Sequence, residues 1–116
     1  MEYIVIKKHT SNYPNPLCVI KGEKVKVGRR YTGNKDWANW IYCVKLDKSQ
    51  EGWVPEQIIA ISEHLGTLLE DYTAKELTIN KGEKVIGAQE LNRWIWCEGS
   101  SSNSGWIPKS NLKIVS

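Results

Sequence analysis

The sequence predicts an all-β chain of two small barrels in tandem, and three observations carry that prediction. The first is a repeat. Lys21-Gly22-Glu23-Lys24-Val25 recurs letter for letter as Lys81-Gly82-Glu83-Lys84-Val85. Trp40-Ile41-Tyr42-Cys43 recurs as Trp94-Ile95-Trp96-Cys97, and Gly52-Trp53-Val54-Pro55 as Gly105-Trp106-Ile107-Pro108. Three blocks in one order mean a duplication, and their offsets of 60, 54 and 53 residues mean that the copies differ mainly by an insertion in the first. The second observation is periodicity: Glu23 to Val27, Leu17-Cys18-Val19 and Leu77-Thr78-Ile79 alternate or run apolar as strands do, while helical spacing is not sustained anywhere. The third is punctuation by Gly and Pro. A unit of about 55 to 60 residues is near the lower limit for a barrel that folds alone. The predicted domains are therefore 1–61 and 62–116, joined by Ser62-Glu63-His64-Leu65-Gly66. A join that short holds the halves close, so the two barrels are expected to pack against each other.

Each element has a local reason. Gly22 and Gly82 sit where a tight turn needs positive φ, which glycine adopts without a steric cost. Strands follow over Glu23 to Val27 and its counterpart. Residues 31–39, with Trp37 in a polar setting, are the inserted loop of the first copy. Gly52 and Gly105 precede short Trp-Val and Trp-Ile strands, which end at Pro55 and Pro108 because proline cannot donate to a ladder. Proline also suits the start of a helical turn, predicted at Pro55-Glu56-Gln57-Ile58 and Pro108-Lys109-Ser110-Asn111. Brief apolar strands, Ile58 to Ile61 and Leu112 to Val115, close the copies. The expected core is Val5, Leu17, Val19, Val25, Cys43, Val54 and Ile59 in the first, and Leu69, Leu77, Ile79, Val85, Cys97, Ile107 and Leu112 in the second.

Composition narrows the function. The chain has six Trp, five Tyr and no Phe. No apolar run approaches the length of a membrane span, and Tyr3-Ile4-Val5-Ile6 is stopped at once by Lys7-Lys8, so a cytoplasmic protein without membrane contact is expected. Cys18, Cys43 and Cys97 are odd in number and lack metal-ligand spacing, which points to reduced thiols, with Cys43 and Cys97 as core fillers. Of the net +3, residues 1–61 carry ten Lys and Arg against six Asp and Glu, and residues 62–116 carry six against seven. Arg29, Arg30 and Lys35 lie near Trp37, the mixture of cation and ring that contacts single-stranded nucleic acid, although a solvated strand face is the better explanation of so modest an excess. His9 and His64 are isolated and no phosphate-binding loop occurs, so neither enzyme chemistry nor a cofactor or metal is expected.

Leu68-Leu69-Glu70-Asp71-Tyr72-Thr73-Ala74 resembles the Ala-Leu-Tyr-Asp-Tyr opening of the Src homology 3 family. Glu76-Leu77-Thr78-Ile79, the Lys-Gly-Glu turn, Trp94 and Gly105-Trp106-Ile107-Pro108 follow in that family's order. The first copy is similar from Leu17 onward. The resemblance, to tandem SH3-like domains of a small bacterial-type protein, implies two five-stranded, partly open barrels that bind extended peptides on aromatic grooves. Residue by residue it implies a groove of Tyr72, Trp94, Trp106 and Pro108 with Asp71 and Glu76 as acids in the second copy. In the first it implies Trp40, Trp53 and Pro55, with His9 at a tyrosine position; Trp37, from the inserted loop, is added as a candidate that folds over Trp40 or packs on the second domain. Glu70 and Asn111 replace two groove tyrosines in the second copy, Ile58 replaces one in the first, and the first lacks carboxylates. The expected function is a non-catalytic protein- or peptide-binding adaptor. The alternative is nucleic-acid binding through Arg29, Arg30, Lys35 and Trp37, for which small barrels offer analogy only.

Overall fold

A computed structural model of the chain describes residues 1–11, 15–31, 39–99 and 103–115. The strands in chain order are β1 (Glu2–Val5), β2 (Cys18–Val19), β3 (Lys24–Arg30), β4 (Trp40–Lys45), β5 (Glu51–Pro55), β6 (Ile59–Ser62), β7 (Leu65–Leu68), β8 (Tyr72–Thr73), β9 (Lys84–Leu91), β10 (Trp94–Glu98), β11 (Ser104–Pro108) and β12 (Leu112–Ile114). The two single helical turns are 3₁₀ segments at Glu56–Ile58 and Lys109–Asn111, directly after the two prolines as expected.

The chain divides into two compact units, and they are not the two sequence repeats. A terminal unit combines Met1–Pro14 with Lys75–Ser116, and a central unit is Asn15–Ala74. The terminal unit holds a five-stranded sheet of order β11-β10-β9-β1-β12. The central unit holds one of order β5-β4-β3-β7-β6, with β2 paired to β8 beside it. Both are all-β, five-stranded SH3-like barrels of the kind the resemblance implies. The opening strands, however, are exchanged: β1 pairs with β9 and β12 of the second copy, while β7, which opens the second copy, pairs with β3 and β6 of the first.

The compact units therefore do not follow the expected boundary between residues 61 and 62, and the reason lies in the join itself. Glu63 and His64 form a two-residue turn, with Glu63 at φ 57°. Ser62 then faces Leu65, Ile61 faces Gly66 and Ile59 faces Leu68 in antiparallel register. A connection of two residues makes the strands it joins neighbours in a hairpin. The last strand of the first copy and the first strand of the second are thus held side by side, and β7 fills the place that β1 would otherwise take.

The cores follow the alternation. In the terminal unit Val5, Leu77, Ile79, Val85, Ile95, Cys97, Ile107 and Leu112 form one cluster, with Tyr3 packed against it. In the central unit Leu17, Val19, Val25, Cys43, Val54, Ile59 and Leu68 are buried. Leu68 replaces the expected Leu69, which is 48 % exposed against 1 % for Leu68. A shift of one residue on a strand moves a side chain to the other face. Gly22 and Gly82 adopt φ of 87° and 94° as their turns require, and their N–H groups donate to Leu68 O at 2.7 Å and Val5 O at 2.8 Å. These equivalent bonds tie each turn to an opening strand from the other repeat.

Candidate functional site

In each unit the aromatic side chains lie on one face of a two-stranded ribbon. Trp40 faces Pro55 and Tyr42 faces Trp53 across β4 and β5, while Cys43 faces Gly52 on the core side. Trp94 faces Pro108 and Trp96 faces Trp106 across β10 and β11 in the same way. Directly opposed residues, and residues two apart on one strand, share a face, so each ribbon turns a four-residue row of rings and proline away from its core. The residue before each tryptophan, Asn39 or Arg93, has a positive φ of 72° or 70°. Its carbonyl accepts the first N–H of the 3₁₀ turn, from Glu56 or Lys109, at 2.9 Å in both units. This bond fixes the turn beside the Trp-Pro pair.

The exchange of opening strands redistributes the groove residues. Tyr72 and Asp71, expected beside Trp94, Trp106 and Pro108, belong to the central unit with Trp40, Trp53 and Pro55. The Tyr72 hydroxyl donates to Trp53 O at 3.2 Å. His9, expected with Trp40, belongs instead to the terminal unit, where its ring meets Trp94 edge-on with centroids 5.6 Å apart. His9 and Tyr72 do hold equivalent positions, as their family likeness implies: Tyr72 faces Val19 in one unit and His9 bridges Ile79 in the other. Trp37 and Lys35 lie outside the described residues.

Both expected acids are engaged within the chain. Glu76 Oε1 is 2.7 Å from His9 Nε2, with the two side chains only 12 % and 14 % exposed. Asp71 is exposed, and its Oδ1 accepts the Lys21 N–H at 2.8 Å. The expected open platform is also more enclosed than the resemblance implies, since Trp40, Trp94 and Tyr72 are each 8 % exposed and Trp106 is 7 %. The His9 ring packs near-perpendicular against Trp94. The indole Nε1 of Trp40 is buried and has no hydrogen-bond partner among the described residues. Asn111, at a position where the family has tyrosine, is buried and donates to Lys7 O and Lys8 O at 3.2 and 3.3 Å, so it pins the opening segment rather than lining a groove.

What remains accessible in the central unit is a corner of rings of which only Trp53 was an expected groove residue. Tyr31, Tyr42 and Trp53 are half-buried. Trp53 meets Tyr42 at 5.1 Å and Tyr31 at 5.5 Å, both near perpendicular. The guanidinium of Arg29 stands 5.2 Å from the Tyr42 centroid and 5.3 Å from that of Trp53. The sequence signal available was a cation-rich strand, Arg29 among it, running into Tyr31, but which rings Arg29 meets depends on the β-bulge between Val27 and Arg30, which the pattern does not show. Arg30, the other expected nucleic-acid contact, pairs with Glu56 at 2.5 Å. Its counterpart in the terminal unit has the opposite polarity, with Glu90 accepting from Lys109 at 3.2 Å.

Neither buried thiol is a reactive centre: burial pushes the Cys43 thiol up to about 12 and the Cys97 thiol up to about 11. No described helix is long and apolar enough to cross a membrane. No solved structure and no curated protein matches the chain. The family model of the variant SH3 domain matches residues 3–62, a contiguous span that starts in β1 of the terminal unit and ends in β6 of the central one. With that match covering just over half of its length, the chain belongs to the variant SH3 domain family.

Proposed function

We propose that the protein is a non-catalytic interaction module that holds an extended peptide or protein segment on the ring-bearing face of the central unit. The observation that supports this most is the row Trp40, Tyr42, Trp53 and Pro55 on one face of β4 and β5, with Tyr72 bonded to Trp53 and Tyr42 and Trp53 half-exposed. Aromatic rings supply contact area at little entropy cost to a chain that is already extended. The terminal unit repeats the arrangement with Trp94, Pro108 and His9 but occupies its acid with His9, so it is the weaker candidate. Free thiols suit a reducing compartment, and the cytoplasm is the proposed one.

Arg29 against two rings also favours a second reading, nucleic-acid binding. Charge weighs against it: the central unit carries eight Lys and Arg and eight Asp and Glu, a net of zero, whereas phosphate-backbone binding rests on several unpaired cations. Amide and indole chemical-shift mapping of the whole protein against a set of proline-rich peptides and a short oligonucleotide separates the two. The peptide reading predicts shifts at Trp40, Trp53 and Tyr72 that change little with salt. Shifts centred on Arg29 and Arg30 with the oligonucleotide alone, fading between low and moderate salt, would reverse it.

A further inference from the structure

The guanidinium of Arg29 lies in a corner made by two nearly perpendicular rings, Tyr42 and Trp53, whose own centroids are 5.1 Å apart. A guanidinium held against ring faces in this way keeps N–H donors available to a further partner. No carboxylate pairs with Arg29 among the described residues, although Arg30 is paired with Glu56 and Lys45 with Glu23. Lys26, also exposed, faces Val44 next to Tyr42 on the same side of the sheet. The group that complements an oriented, unneutralised guanidinium is a carboxylate, which it can grip with two parallel bonds.

We infer that the central unit selects extended peptides carrying an acidic side chain, and that Arg29 is the residue that receives it. This rests on the peptide-binding reading and adds its chemical class. The family pattern sets a carboxylate beside the groove for a basic ligand, and the central unit inverts that charge: Asp71 accepts from the Lys21 turn, Glu56 pairs with Arg30, and Arg29 is the cation held against the rings. The terminal unit serves as an internal comparison. There Gln89 stands opposite Trp96, in the strand position where Arg29 stands in the other copy, so that position supplies no cation to the ring pair Trp96 and Trp106. Acid selection is thus assigned to one unit of the two. A peptide is favoured over a polyphosphate because Arg29 and Lys26 can satisfy one or two carboxylates, and the neutral unit around them offers no longer basic track.

The test titrates the full chain with three ten-residue peptides on one Ala-Pro-Tyr frame, carrying Glu, Gln or Lys at the same two positions, and with octathymidylate. The Glu peptide is expected to bind about tenfold more tightly than the Gln peptide at low salt and to shift the Arg29 side-chain and Trp53 indole resonances. Arg29→Gln is expected to remove that preference while leaving the weaker, Gln-like binding, and Arg29→Lys to restore only part of it. Arg29 is exposed, and an unchanged amide spectrum shows that each variant is folded. Equal binding of all three peptides with shifts at Trp40 and Trp53 overturns acid selection and leaves the peptide reading standing. Silence from every peptide overturns both. Octathymidylate binding at Arg29 more tightly than the Glu peptide overturns the inference in favour of nucleic acid.

Discussion

Cys43 and Cys97 occupy equivalent core positions and are fully buried, each pointing its thiol toward a carbonyl two residues back, Ile41 O at 3.8 Å and Ile95 O at 3.4 Å. Desolvation disfavours the thiolate, hence the values of about 12 and about 11 against an ordinary 9.0. Cys18 is exposed. A maleimide or disulfide reagent near pH 8 should therefore label Cys18 alone in the folded protein and all three cysteines in denaturant, as mass spectrometry would show; rapid labelling of Cys43 or Cys97 in the folded protein would contradict their burial. The linkage has a definite sign. Between pH 9 and about 11 the unfolded chain releases the thiol protons and the folded chain keeps them, so these two groups make stability fall as pH rises through that window and contribute no dependence below it. The core role of both cysteines was legible in the sequence, because a small apolar side chain repeats at one register of two apolar strands. The partnership of His9 with Glu76 was not: 67 residues separate them, and each looked like part of a different barrel.

At the scale of elements, the segment Lys75–Leu77 runs along β11. The Trp106 N–H donates to Lys75 O at 2.9 Å, and the Leu77 N–H donates to Trp106 O at 3.1 Å. Gly105 makes this approach possible, for a Cβ there would lie 2.7 Å from Leu77 N and 2.8 Å from the Glu76 carbonyl carbon. Both are backbone atoms that cannot turn aside. At the equivalent Gly52 the nearest atom would be the Leu17 Cβ at 3.2 Å, which a few tenths of an ångström of movement relieves. Gly105→Ala should accordingly cost about 2–3 kcal/mol and Gly52→Ala under about 1 kcal/mol, read from urea unfolding followed by tryptophan fluorescence. Equal costs would show that the two units do not share this contact unequally. The sequence placed both glycines just before a strand, and each is the second residue of one. It could not show why the second tolerates less, because the atoms that crowd it come from a segment about thirty residues earlier. Strands, turns and the two 3₁₀ segments were readable for a simpler reason: each depends on residues within one or two turns of the chain.

The whole molecule departs from its sequence in connectivity. Duplication, fold class and strand content followed from the repeated motifs, but the pairing of units did not. Two copies of one pattern contain two opening strands that fit the same gap, and local sequence treats them alike. The choice between them is made by the turn at Glu63 and His64, whose two residues leave β7 no route except back along β6. The exchange also moves the charge. By sequence halves the first carries the basic excess. By compact units the terminal one has eight Lys and Arg against five Asp and Glu, and the central one eight against eight. A nucleic-acid face inferred from the first half of the sequence therefore loses most of its electrostatic basis, and a single oriented arginine becomes the notable cation.

Removal of the opening segment tests this architecture most directly. In protein lacking Met1–Ser11, indole and amide NMR spectra should lose the native signals of Trp94, Trp96 and Trp106, because their barrel has lost β1, while those of Trp40 and Trp53 keep their native positions. Collapse of Trp40 and Trp53 with Trp94, Trp96 and Trp106 intact would mean that each repeat keeps its own first strand, and the exchanged pairing would be wrong.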